Sequence, residues 1–204
     1  GYAVAGCGLV GWLSGGAACG HLSAGLLALL LTSLTAPLMA QDIKNALFRI
    51  APAEYATMAE KSMNLLAAAN FDAWGAMLAD NVEFDFPDGD QNTRTKLKGK
   101  AAVIAWWKKY RTMPAVKSMT MSEFNNMPIE VTGDAKGGAT KGIYVISYFT
   151  NTQIINGKPL GIRMNFSTHF NANKKIDRYT SYYDRTLLVK ALGRNVLEEG
   201  KAKK

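Results

Sequence analysis

Hydrophobic and polar positions divide the chain into three stretches of different texture. Residues 1–41 carry no Lys, Arg, Asp or Glu, and 22–34 within them is a leucine-rich apolar run. After Pro52, suited to a first helical turn, Tyr55, Met58, Ala59, Ser62, Met63, Leu66 and Ala69 recur at helical spacing. Asn70 then reads as a stop, and Asp72 as the cap of a short helix over 73–79. Val82-Glu83-Phe84-Asp85-Phe86 alternates as a strand does and ends at the turn residues Pro87-Asp88-Gly89. A polar loop over 90–98 leads into a helix over 100–111, whose apolar stripe is Val103, Ile104, Trp107 and Tyr110. On that helix Trp106 and Trp107 cannot both face a core. From Lys117 onward the period changes to long strands, predicted over 118–132, 142–155, 159–171 and 175–184, with Asn156-Gly157 the strongest hairpin signal. Helices first and a meander of strands afterwards predict an α+β domain with an antiparallel sheet.

The head of the chain is of another kind. A run of about 13 apolar residues is short for a bilayer span of ~20 and right for the core of an export signal. Cleavage between Ala40 and Gln41 would leave a secreted or periplasmic protein with no membrane span. The other reading is an extension upstream of a cytoplasmic protein that starts at Met39. The expected division is therefore 1–40 as signal or extension, 41–190 as the domain, and 191–204 as a basic tail.

Composition narrows the chemistry. At 204 residues, 48% hydrophobic and 20% charged, the chain has the balance of one folded domain with an appendage. The only cysteines, Cys7 and Cys19, lie in the head, and His169 is the only histidine outside it. Disulfides, thiolate chemistry and Cys- or His-based metal sites are thereby excluded from the domain, and no cofactor or metal is expected. The net charge of +8 falls wholly beyond the head, but its basic residues are mostly scattered and no aromatic-basic RNA-binding motif accompanies them. A weak attraction to anionic surfaces follows, and a nucleic-acid partner does not.

Several motifs in order carry a more specific message. The stretch from Trp74 through Gly75, Asp80 and Asn81 to Phe84 joins a helix to a strand. Pro87-Asp88-Gly89 follows, and Gly99-Lys100 opens the tryptophan-bearing helix. The chain then closes on Lys175-Ile176-Asp177-Arg178-Tyr179-Thr180-Ser181-Tyr182-Tyr183-Asp184, with Lys174 where a turn glycine usually stands. This order resembles the nuclear transport factor 2-like superfamily, especially its SnoaL-like branch, over about 53–184. The resemblance implies a curved antiparallel sheet wrapped around N-terminal helices, a cone holding one deep apolar pocket.

Strand alternation assigns the faces. A two-residue turn at Asn156-Gly157 pairs Phe149 with Met164, Ser147 with Phe166, Val145 with Thr168 and Ile143 with Phe170. A two-residue turn at Asn173-Lys174 pairs Phe166 with Ser181, Thr168 with Tyr179, Met164 with Tyr183 and Phe170 with Asp177. The Phe- and Met-rich face should cover the core, so Tyr179, Ser181 and Tyr183 point inward. Tyr144, Tyr148, Asn165, His169, Arg178 and Tyr182 then point outward. That tyrosine-rich outer face is expected to form a homodimer.

Enzymes of the superfamily hold a carboxylate in the cone to move a proton beside a carbonyl. In the ketosteroid-isomerase branch it precedes the proline that ends the first strand, the position of Phe86 here. In the polyketide-cyclase branch it stands five residues after the isoleucine of the last strand, the position of Ser181. Neither can act as a base near neutral pH. Of the other acids, Asp85 alternates outward, Asp177 falls inward near a hairpin end, and Asp184 suits a cap. His169 could be a base only in the opposite register. The expected function is therefore binding of a small apolar molecule, with Phe86, Asp88, Trp107, Tyr179, Ser181 and Tyr183 as ligand-binding residues. An isomerase, cyclase or dehydratase with its acid relocated to Asp88 or Asp177, and Tyr179 or Tyr183 as donor, is the alternative. An interaction module using the outer face is a third.

Overall fold

A computed structural model describes residues 47–89, 93–133 and 139–199. The head, with its proposed cleavage junction, and the last residues of the tail lie outside the described residues. The elements run β1 (Phe48–Ile50), α1 (Glu54–Ala67), α2 (Phe71–Met77), β2 (Leu78–Asp85), β3 (Lys96–Lys98) and α3 (Lys100–Arg111). Then come β4 (Val116–Val131), β5 (Gly142–Ile155), β6 (Lys158–Phe170), β7 (Ile176–Tyr182) and α4 (Thr186–Leu192). They form a curved, unclosed sheet of order β1-β4-β5-β6-β7-β2-β3, with α1 and α3 packed on it. This is the expected α+β architecture.

Local chemistry explains the boundaries. Ala69 turns left-handed after α1, at φ 57°, and Asn70 is not only a stop. Its side chain accepts from the Ala73 amide at 3.2 Å, which makes Asn70 the cap of α2 in place of Asp72. Asp72 sits in the first turn, where a carboxylate suits the positive end of the helix. The sheet is antiparallel except that β2 runs parallel to β7. Parallel neighbours need a long crossover, and β3, α3 and the meander supply it. β3 forms from the end of the stretch expected to be loop, where Lys96 and Lys98 pair with Asp85 and Glu83.

The β5–β6 register is the predicted one from Ile143 opposite Phe170 to Ile155 opposite Lys158. Between β6 and β7 two departures cancel. The turn holds three residues, with Lys174 left-handed at φ 56°, so Phe170 faces Ile176 and not Asp177. Asp177 is then the extra residue of a bulge, and the pairing returns to His169 opposite Arg178, Thr168 opposite Tyr179 and Phe166 opposite Ser181. The paired strand ends at Tyr182, so Met164 and Tyr183 are not a ladder pair.

A second irregularity, between Ser122 and Asn125 with Glu123 at φ 57°, bends the 16-residue β4. The concave face covers Trp74, Phe84, Phe149, Phe166, Phe170 and Tyr179, all at most 3% exposed. Burying such side chains stabilises by about 1.5–3 kcal/mol each relative to exposure. Phe84 is the hub, with ring centroids 4.9 Å from Phe86, 5.5 Å from Trp107 and 5.3 Å from Tyr179. Beyond residue 190, Leu192, Val196 and Leu197 pack against the same core.

Candidate ligand-binding cavity

One end of the concave sheet is left unfilled by α1 and α2. There the turn after β2 contributes Phe86, and α3 contributes Trp106, Trp107 and Tyr110. Alternation brings Met119 and Met121 from β4, Asn151 and Gln153 from β5, and Met164 and Phe166 from β6 to the same wall. Tyr183 follows directly after β7. Leu188, Val189 and Leu192 of α4, with Val196 and Leu197 beyond it, close the remaining side. The cleft holds about 610 Å³ of space between atoms, counted out to the surface. It is thus a mostly apolar slot.

Its polar groups are few and ordered. The Tyr110 hydroxyl donates to Gln153 Oε1 at 2.6 Å, and Gln153 Nε2 donates to Asn151 Oδ1 at 2.7 Å. Both carboxamides are at most 2% exposed. Burial pushes the Tyr110 phenol up to about 12, against a smaller opposing effect of the Gln153 hydrogen bond. Burial also pushes the Tyr183 phenol up; Tyr110 and the Asp88 charge add to this, and Arg185 opposes it. Trp106 stacks on Tyr110 with centroids 5.5 Å apart, so both tryptophans reach the slot, contrary to expectation. Among the described residues no Asp or Glu lines the cavity.

Of the six residues singled out from the sequence, the fold brings three together in this wall: Phe86, Trp107 and Tyr183. Tyr179 points inward as expected but ends deeper in the core, fully buried. Its hydroxyl pairs with Ser62 Oγ, and Trp74 Nε1 donates to it at 3.2 Å. Ser181 is also inward, and it donates to the Asp85 carbonyl at 2.9 Å. Asp88 is 4% exposed and outside the wall, accepting from the Thr95 amide at 2.8 Å and from the Thr95 hydroxyl. Asn151 and Gln153 were the missed residues, although continuing the alternation of β5 past Phe149 reaches both.

The other titratable candidates take structural places. Asp85 is not solvated but 7% exposed, beneath Lys96 Nζ at 3.5 Å. Asp177, displaced by the bulge, leaves the inner face and pairs with His169 Nδ1 on the outer one. His169 faces outward yet is 7% exposed, because the Tyr144 ring lies 4.5 Å away and Gly142 passes beneath. Asp184 Oδ1 accepts from the Thr186 amide at 2.8 Å just before α4, and the Thr186 side chain and amide together hold its carboxyl below the usual range.

The sequence profile of the SnoaL-like domain matches residues 59–179, most of the described fold. The chain belongs to the SnoaL-like domain family. Among curated proteins none matches it. Solved structures share the fold of this SnoaL-like chain at low identity. A Bacillus subtilis protein provisionally described as an isomerase is 18% identical, with a TM-score of 0.51, covering 71% of this chain and 96% of its own. An NTF2-like protein of Anabaena variabilis is 17% identical, with a TM-score of 0.48 over 64% of this chain and 87% of its own. A protein of Shewanella denitrificans provisionally described as a SnoaL-like polyketide cyclase is 12% identical, with a TM-score of 0.48 over 70% and 98%.

Proposed function

We propose that this SnoaL-like domain binds a small, mainly apolar molecule in the slot between α3 and the sheet, without the catalytic acid of its enzymatic relatives. One observation carries the reading: among the described residues, an aromatic and methionine wall encloses buried carboxamides and hydroxyls but no carboxylate. Such a wall supplies flat contact area and orienting hydrogen bonds, and nothing to take a proton near neutral pH. The test is thermal shift and native mass spectrometry with neutral aromatic ketones such as 2-acetylnaphthalene, on wild type and on Tyr183→Ala. A ligand that stabilises wild type and loses most of that effect in the variant supports binding in the slot. No bound ligand, or equal binding by the variant, rejects it.

A second reading has one observation in its favour. Asp88, 4% exposed, follows the wall residue Phe86 by two positions, which keeps a buried acid near the slot that Tyr183 lines. An isomerase activity of the kind provisionally attributed to the Bacillus subtilis relative would use that pair. It would require turnover of an enolisable ketone that Asp88→Asn abolishes.

The protein is further proposed to be exported, on the strength of the uncharged head and its leucine run. A mature start at Gln41 in an envelope or medium fraction supports this, and a cytoplasmic start at Met39 contradicts it. It is also proposed to dimerise through the outer sheet face, where Met127, Tyr148 and Tyr182 are 42–50% exposed. Sedimentation at micromolar concentration tests this, and a clean monomer refutes it.

A further inference from the structure

Among the described residues, two donors in the slot wall have no anionic acceptor. Trp107 is 7% exposed, and among the described residues its buried indole Nε1–H has no hydrogen-bond partner. Buried donors are seldom left so, and an unfilled one costs stability until something accepts from it. Arg185 is half-buried in the same wall, and its Nη2 donates only to the neutral side-chain carbonyl of Asn195. Among the described residues it makes no ion pair, whereas the neighbouring Arg194 pairs with Glu199 at 3.2 Å. The hydroxyls of Tyr110 and Tyr183 stay protonated, since burial pushes both upward. Among the described residues the slot therefore presents donors and two guanidinium groups, of which Arg194 is paired with Glu199 and Arg185 with no acid. Asp88, the acid whose charge is felt there, is held by Thr95 outside the wall.

We infer that the natural ligand is an apolar or aromatic monocarboxylate, its anionic end accepting from Arg185 and Trp107 and its body lying among Phe86, Trp106 and the methionines. This rests on the reading of the slot as a small-molecule site. A guanidinium meets a carboxylate through parallel N–H donors, and in a dry slot that contact is stronger than in water. Among the described residues one of the wall's two arginines lacks an acid partner, which fits a single negative charge better than a dianion. The indole donor adds an acceptor requirement that a hydrocarbon cannot meet.

The test uses 2-naphthoate and its neutral isostere 2-naphthamide, titrated calorimetrically into the full chain at pH 8. The readout is the ratio of the two affinities. Wild type should favour naphthoate by about tenfold or more, the scale of one charge-assisted contact. Arg185→Gln should bring the ratio to about one, Arg185→Lys should retain most of it, and Trp107→Phe should lower it severalfold. A wild-type ratio near or below one, with naphthamide still bound, overturns the carboxylate and leaves the slot as a binding site. A ratio that survives Arg185→Gln overturns the assignment of Arg185. Failure of both compounds to bind counts against the slot itself and the inference together.

Discussion

Replacing Tyr110 with Phe removes one oxygen from the most buried polar chain of the cavity. The hydroxyl lies 2.6 Å from Gln153 Oε1, and Gln153 is 2% exposed, so the bereft carbonyl has no bulk water to turn to. A buried acceptor left without a donor costs about 1–3 kcal/mol. For a chain of this size that corresponds to about 2–4 °C in Tm per kcal/mol. Gln153→Met strands more, because both the Tyr110 hydroxyl and Asn151 Oδ1 lose a partner, and it should destabilise further. The double variant removes donor and acceptor together, so its cost should fall short of the sum of the two singles by about 1 kcal/mol or more. Urea unfolding of the four proteins at pH 8 measures the cycle. Additive costs within about 0.4 kcal/mol, or a Tyr110→Phe variant as stable as wild type, would refute the claim that this chain is dry and coupled.

Alkaline unfolding tests the same hydroxyl from another side. A phenol whose folded value is raised from 10 to about 12 contributes stability present below pH 10 and lost as pH climbs through 12. That is worth about 3 kcal/mol, so Tyr110→Phe should show a visibly shallower loss over that window than wild type. At Gly142, with φ +144°, an added Cβ would stand 2.2 Å from His169 Nε2. Gly142→Ala should therefore lose about 1–3 kcal/mol in urea unfolding, and an unchanged midpoint would contradict the packing described. Glu83 would be raised by burial alone, but Lys96, Arg178 and Lys98 outweigh this and hold its carboxyl low. Its contribution is present above about 4.5 and lost as pH falls through the depressed value. Glu83→Gln should flatten the acid limb of stability against pH, and an identical limb would count against that cluster.

Period and turn chemistry made most of the fold readable. The Asn156-Gly157 turn set the β5–β6 register, and everything on that hairpin followed. The face assignment of β7 survived because a three-residue turn and the Asp177 bulge each shift the register by one, in opposite senses. Neither leaves a mark in a pattern of alternating residues, and the price of missing them was the placement of Asp177. β1 has three residues, all exposed, and α4 seven with none fully buried, so each is too short to carry a clear hydrophobic period. The cavity was half legible for a different reason. Inward-facing is a property of one strand, whereas lining a cavity depends on what the helices fill. Trp74 and Ser62 occupy the space before Tyr179, while nothing from α1 reaches Asn151 and Gln153 except Leu66 at the edge of the slot. The closing segment of Leu188, Leu192 and Leu197 depends on tertiary packing alone.

A small, mainly apolar molecule should enter this slot and leave the outer sheet face untouched. The nine methionines make it directly observable, since Met119, Met121 and Met164 line the slot and Met127 lies exposed on the sheet. In a methyl spectrum of protein labelled with 13C at methionine, titration with 2-acetylnaphthalene should move the signals of Met119, Met121 and Met164 together, and saturably, with Met127 unmoved. Unshifted slot methyls in the presence of bound ligand, or a response confined to Met127, would contradict it.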